Sequence, residues 1–264
     1  MKKYLVIGNP INHSLSPKLH NFWIKINNIN ATYEKKQINE DELNSLILDI
    51  RKKNIHGANI TVPFKNKIIP FLDKLSPEAE NTQSVNTVYL EDDKIIGHNT
   101  DIDGFENSMK NNKYDVSGKK VLILGAGGVV SSIIFALKKM GVSEINLSNR
   151  TKSKAENLKK LFKNLNIVDW GEIPNFDIII NATSLGLDKN DIFELDFSNL
   201  ESNKFFYDII YNPKETNFLK LAKKMGNRTE NGKMMFVYQA QKSFQRWHKI
   251  LPKINNEVLD LVDD

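Results

Sequence analysis

The run Val121–Val130, VLILGAGGVV, constrains this chain more than any other stretch. Four consecutive apolar residues read as a buried strand. Gly125-Ala126-Gly127-Gly128 ends it, and a helix-like run, SSIIFALKKM, follows. A strand that stops in glycines and restarts as a helix is the opening of a dinucleotide-binding βαβ unit. The first glycine permits the tight turn, and the second lets the backbone approach a pyrophosphate resting on the helix N-terminus. Gly125, Ala126, Gly127 and Gly128 are therefore expected cofactor contacts. Val130 stands at the third position of the fingerprint, where Gly or Ala is usual.

The next strand, EINLSNRTK, bears on which dinucleotide is bound. An NAD site places Asp or Glu at its tip, about 20 residues past the glycines, for the ribose 2′-hydroxyl. Here the tip is Asn149-Arg150-Thr151, with Lys152 and Lys154 beyond and no acid. A guanidinium, a hydroxyl and ammonium groups suit a 2′-phosphate, which favours NADP.

Around this unit the whole chain alternates strand-like and helix-like runs. KYLVIG, ATYEKKQI and HGANITVPF read as strands. SPKLHNFWIKINN reads as a helix capped by Ser16 with Pro17 at its first position, and DELNSLILDIRKKN as one capped near Asn39 or Asp41. TVYLEDDKIIGHNT reads as two strands around an Asp-Asp-Lys turn. The fold class is α/β, with mostly parallel sheets. The texture changes near Asp101, which divides a domain over 1–101 from a Rossmann-type domain over 102–235, followed by a terminal helical segment over 236–264.

Several classes are excluded. With no cysteine there is no disulfide, thiolate metal site or cysteine nucleophile. The five histidines lack metal-ligand spacing, so no metal is expected. The net charge is +5, but the lysines alternate with glutamates and asparagines, as in TKSKAENLKKLFKN, and form no basic arm. No nucleic-acid partner is expected. No run approaches a membrane span, and the N-terminal apolar run is too short for a signal peptide; a cytoplasmic protein is expected.

A dinucleotide domain needs a substrate partner, and the N-terminal half carries three polar loops at strand ends: GNPINHSLSP, NITVPFK, and SVNTVYL with GHNTDIDGF. Open α/β sheets bind ligands in such loops. Together with GAGG, NRT, NATSLG, YDIIYNP and QAQKSF, these segments occur in the order and at the spacing of the shikimate/quinate dehydrogenase family, which the chain resembles over essentially its full length. The resemblance implies reversible reduction of 3-dehydroshikimate to shikimate with NADPH, on the way to aromatic amino acids. It implies a substrate domain, a Rossmann NADP domain, a cleft between them, and a last helix packing back toward the substrate domain.

Carried over position by position, Ser14 and Ser16 resemble the hydroxyls that bind the substrate carboxylate. Lys65 and Asp101 resemble the catalytic pair, and Thr61, Asn86, Tyr211 and Gln239 the remaining substrate contacts. Asn149, Arg150, Thr151, Lys154, Thr183 and Met235 join the glycines on the cofactor. Two departures stand out. NGKMMF puts Lys233 and Met234 where the family has its GxGML segment, and Lys154 stands where Arg is frequent, keeping charge without the bidentate fork.

The chemistry suits the assignment. Hydride addition to a ketone leaves an alkoxide, which requires a cation and a proton donor. Lys65 supplies both, with Asp101 orienting it. His13, in the substrate loop, is the rival acid–base group. Quinate or dual-specificity dehydrogenase is the alternative activity, and a non-catalytic metabolite sensor a more distant one. Lack of cysteine excludes glutamyl-tRNA reductase. A monomer or homodimer is expected.

Overall fold

The structure is a computed structural model and describes residues 1–188, 190–191, 195–197 and 202–263. The chain divides into two compact units, Met1–Phe105 with Val237–Asp264, and Glu106–Phe236.

The first unit begins β1 (Lys2–Gly8), α1 (Ser16–Ile26), β2 (Ala31–Gln37), α2 (Leu43–Arg51) and β3 (Gly57–Ile60). Leu43, Leu46, Ile47 and Ile50 recur at helical spacing along α2 and are all buried. Each contributes roughly 1.5–3 kcal/mol on leaving water. Asn39 caps a short 3-10 turn ahead of α2 through a reciprocal capping box with Glu42. Then come β4 (Lys74–Leu75), α3 (Pro77–Thr82), β5 (Thr87–Glu91), β6 (Lys94–His98) and α4 (Asp101–Asn111).

The sheet order is β2-β1-β3-β5-β6-β4. Three of its five pairs are parallel, while β5 runs antiparallel to both β3 and β6. This reversal has a functional consequence. It brings the start of β5 to the edge where β1, β3 and β6 end, with Thr87 opposite both Asn59 and His98.

The second unit continues with β7 (Lys120–Leu124), α5 (Val130–Lys139), β8 (Glu144–Ser148), α6 (Lys152–Leu161), β9 (Asn166–Val168) and β10 (Ile178–Asn181). β11 (Phe205–Asp208), α7 (Asn217–Lys224) and β12 (Arg228–Glu230) complete it. The order β12-β11-β10-β7-β8-β9 is parallel throughout. The apolar runs of β7 and β10 follow from this, because parallel strands are covered on both faces. The chain steps outward from β7 through β8 to β9, then returns to β10 on β7's other side. The β7/β10 crevice is thus the topological switch point, where doubly wound sheets bind ligands.

The terminal segment is two helices, α8 (Lys233–His248) and α9 (Asn256–Asp263), not one helix over 236–264; position 264 lies outside the described residues. Pro252 lies in the break, and its carbonyl accepts from Gln241 Nε2 at 2.7 Å. From Val237 onward this segment belongs to the first unit. Trp247 lies against Gly57, where a Cβ would meet the indole at 2.5 Å, and its Nε1–H donates to Val88 O.

Candidate active site

The first unit's site stands where β1, β3 and β6 end. Gly8 packs so close to Thr61 that a Cβ there would come within 2.6 Å of the threonine methyl. The opening loop is fastened by Asn9 N–H to Val62 O (3.0 Å) and by Lys35 Nζ to Asn12 O (2.6 Å). After β3 the chain turns at Thr61, whose carbonyl accepts from Phe64 N–H, and Lys65 O is then tied to Val85 N–H at 2.8 Å.

Lys65 Nζ donates to Asp101 Oδ2 at 2.5 Å, with side chains only 11% and 7% exposed. The geometry therefore brings together two sequence-predicted residues 36 positions apart. Asp101 opens α4, where a carboxylate suits the helix dipole. Its Oδ1 accepts from Asn86 Nδ2 at 2.9 Å, and its N–H donates to Asn99 Oδ1 at 3.1 Å. The Asn86 amide also donates to Thr100 Oγ1 (2.9 Å) and lies 3.4 Å from Gln239 Oε1. Its Oδ1 accepts from Thr100 N–H at 2.8 Å. Asn86 is thus the fastening of the pair. His13 is exposed, whereas Lys65 and Asp101 are sheltered.

Ser16 does not cap α1. It is the first helical residue, Leu15 occupies the cap position without a side-chain bond, and Leu15 has helical backbone angles. The residue between Ser14 and Ser16 is therefore already helical. The turn closed by Ser14 N–H to Ile11 O carries the chain into the helix early, and Ser14 Oγ accepts from Ser16 N–H at 3.3 Å. The Tyr33 phenol, which interacts with the Ser16 side chain, holds its proton more tightly than usual because of burial. Tyr33 OH donates in turn to Asn59 Oδ1 at 2.6 Å. Asn59, Thr87, Thr100 and Ser243 complete this buried polar layer, and sequence reasoning overlooked all four. A buried asparagine inside the strand GANI was the available signal, since asparagine is disfavoured there without a specific partner.

In the second unit, β7 ends at Gly125. Its φ of +106° and the approach of Ala182 O, 2.6 Å from any Cβ, exclude other residues. Gly127 differs. A Cβ there would have only Ala182 O within 4 Å, at 3.9 Å, and Gly127 is exposed. The protein does not fill that space, as a backbone kept bare for a phosphate requires. Val130, at the atypical third position, is fully buried as the first residue of α5.

At the tip of β8, Asn149 Nδ2 donates to Thr151 O (2.7 Å), shaping the turn, and Thr151 occupies the cap position of α6. Lys152 pairs with Asp169. Arg150 and Lys154 are exposed, with no acidic partner among the described residues. Two cations beside a helix N-terminus, where the dipole disfavours them, fit an anionic ligand. These features fit NADP.

After β10, Asn181 uses its full amide capacity on the NATSLG loop. Its Oδ1 accepts from Thr183 N–H (3.0 Å) and Oγ1 (2.7 Å), and its Nδ2 donates to Leu185 O and Asp208 Oδ1, both at 3.0 Å. Burial raises the Asp208 carboxyl to about 6, against hydrogen bonds from Thr216, Ile210 and Asn181 that favour its charged form. Tyr211 lies in this unit, stacked on Phe236 at 4.5 Å. Met235 is buried on α8, and Gly232 before it is indispensable, because a Cβ would fall 1.9 Å from Ile209 O. No group of three or more metal-ligating side chains occurs among the described residues.

Comparison with known proteins places this geometry. Residues 6–88 match the family described as shikimate dehydrogenase substrate binding domain, and residues 107–217 match shikimate / quinate 5-dehydrogenase. A shikimate dehydrogenase (NADP(+)) of Pelagibacter ubique is 61% identical over 262 residues, 99% of each chain. The crystal structure of shikimate dehydrogenase from Aquifex aeolicus is 37% identical, with a TM-score of 0.92 over 100% of this chain and 98% of that one. The Thermus thermophilus enzyme, solved in complex with NADP(H) and shikimate, is 30% identical with a TM-score of 0.90, covering 99% and 98%.

Proposed function

The chain belongs to the shikimate dehydrogenase family, and on that premise we propose how its residues carry out the reaction. The activity is the reversible, NADP-dependent reduction of 3-dehydroshikimate to shikimate in the shikimate pathway. Residues 1–101, with the terminal segment from 236, form the substrate domain, and residues 102–235 the NADP domain.

Ser14 and Ser16 bind the substrate carboxylate, and Thr61, Asn86, Tyr211 and Gln239 the rest of the ring. Gly125, Ala126, Gly127 and Gly128 cradle the pyrophosphate, while Asn149, Arg150, Thr151 and Lys154 receive the 2′-phosphate. Thr183 and Met235 line the remaining length. Bound NADPH supplies the hydride. The ketone oxygen, as it becomes an alkoxide, is stabilised by the Lys65 ammonium and takes its proton. Asp101 orients Lys65 through Oδ2 and is itself held by Asn86, so the donor needs little reorganisation when charge develops.

The observation that carries this reading is the sheltered Lys65–Asp101 pair at the strand-end edge of the first sheet. The test is Lys65→Ala, expected to lower kcat by roughly 10²-fold or more, with little change in the KM for shikimate. An unchanged kcat removes Lys65 from the mechanism. No helix among the described residues is long and apolar enough to cross a membrane. A cytoplasmic monomer or homodimer without a nucleic-acid partner fits the absence of cysteine and the mixed charge pattern.

A further inference from the structure

We propose that Ser243, on α8, is a positioning residue for the acid–base pair; this inference rests on the role given to Lys65 and Asp101 above. Gly57 and Asn59 alternate onto one face of β3. Along α8, Ser243 and Trp247 are one turn apart and also share a face. Two residues of strand advance about 6.6 Å and four residues of helix about 6 Å, so the two pairs stay in step. Trp247 meets Gly57, and Ser243 meets Asn59.

The Ser243 hydroxyl has more partners than it can bond at once. Its Oγ accepts from Asn59 Nδ2 at 3.0 Å and donates to Gln239 O at 3.1 Å, and it lies 2.8 Å from Thr87 Oγ1 and 3.1 Å from Thr100 Oγ1. One proton and two lone pairs cannot serve four neighbours together. Besides each other, at 3.4 Å, the two threonine hydroxyls have Asn86 Oδ1 as an acceptor, at 3.0 and 3.2 Å. Ser243 Oγ and Asn86 Oδ1 therefore share the same donors.

All of these groups are buried, and Thr87, Thr100 and Ser243 are wholly so. Without the serine oxygen, Asn59 Nδ2 is left with Asn86 O and Thr87 Oγ1, at 3.0 and 3.2 Å, and the threonine hydroxyls with Asn86 Oδ1 and each other, so the bonds that Ser243 shared fall on Asn86 and Thr100. The nearest adjustment turns Thr100 or Asn86. Thr100 directly precedes Asp101, and Asn86 holds Asp101 Oδ1. Ser243 thus keeps Asp101 in register with Lys65 without itself touching the reacting atoms.

The experiment compares Ser243→Ala, Thr100→Val and the double variant, with Lys65→Ala as reference, reading kcat, both KM values and the pH dependence of kcat. Thermal unfolding checks that each is folded. Ser243→Ala is expected to lower kcat about 10-fold, the scale of a small misplacement of a catalytic group, to shift the pH profile of kcat, and to leave the KM for NADPH unchanged. The double variant is expected to fall no more than about 2-fold below the worse single one, since both remove the same link. Thr100→Val keeps the proposal testable should Ser243→Ala not fold. A normal kcat and pH profile in folded Ser243→Ala, or multiplicative losses in the double variant, overturns the proposal while a collapsed Lys65→Ala leaves the parent reading standing. Full activity in Lys65→Ala overturns both.

Discussion

Neutralising one member of the Lys65–Asp101 pair should cost more than neutralising both. At 2.5 Å and an effective dielectric constant near 20, their attraction is about 7 kcal/mol before desolvation is subtracted. Most of that is offset by removing both charges from water, so a well-packed neutral pair is close to equal in stability. Breaking the pair is different. Asp101→Asn leaves the Lys65 ammonium sheltered and opposes it with an amide, at a cost of about 3–5 kcal/mol. Lys65→Met leaves a carboxylate that still accepts from Asn86 Nδ2 and the α4 dipole, and should lie at the low end of that range. The Lys65→Met/Asp101→Asn double variant should then fall short of the summed losses by about 3 kcal/mol or more. The assay is urea unfolding at constant m-value. A Trp170→Phe background leaves Trp23 and Trp247, both in the first unit, as reporters. Stability losses that add to within about 0.5 kcal/mol would refute the reasoning. All three variants should lose kcat to a similar extent, because groups acting as a unit are not additive.

Other expectations follow from single atoms. Gly127→Ala should leave thermal stability unchanged yet raise the KM for NADP, whereas Gly125→Ala should lower stability outright through its φ of +106° and Ala182 O. Equal effects in melting and cofactor titrations would contradict the phosphate role of Gly127. Arg150→Ala should raise the KM for NADPH far more than that for shikimate, and an equal rise in both would speak against the 2′-phosphate assignment. His20, stacked on Tyr33 at 4.2 Å with neither ring nitrogen hydrogen-bonded, is pushed down to about 3, first by burial and then by His248. Below pH 6.5 the unfolded chain takes up a proton that the folded chain refuses, so this contribution is complete above 6.5 and is lost toward pH 3. The loss amounts to about 2 kcal/mol by pH 5. His20→Phe should reduce the slope of that part of the stability–pH curve measured by denaturant unfolding, leaving the comparable shares of His98 and His248, each pushed down to about 4. An unchanged slope would contradict a neutral buried His20.

What could be read in advance depended on how locally each feature is encoded. VLILGAGG carries strand, turn and helix start in adjacent residues, and β7 and α5 form there. The β5–β6 hairpin was legible in its Asp-Asp-Lys turn, but the antiparallel pairing of β5 with β3 was not, because TVYLE does not record its other neighbour. β4 and β12, two and three residues long, are too short to show a period. Ser16 misled because Ser-Pro is a strong helix-start signal; Leu15 had already turned helical, which moved the boundary by one residue. Lys65 and Asp101 were identified through motif resemblance, since each alone reads as a surface charge. Ser243 sits in a helical run with nothing local to distinguish it. Its meaning arises only when α8 lies beside β3, through partners 143 to 184 residues away.

The most direct test of the account is the appearance of reduced nicotinamide when purified protein is given shikimate or quinate with NADP or NAD. The predicted result is turnover with the highest kcat/KM for shikimate with NADP, falling when either partner is exchanged. No turnover in any of the four combinations, or a preference for quinate with NAD, would contradict it.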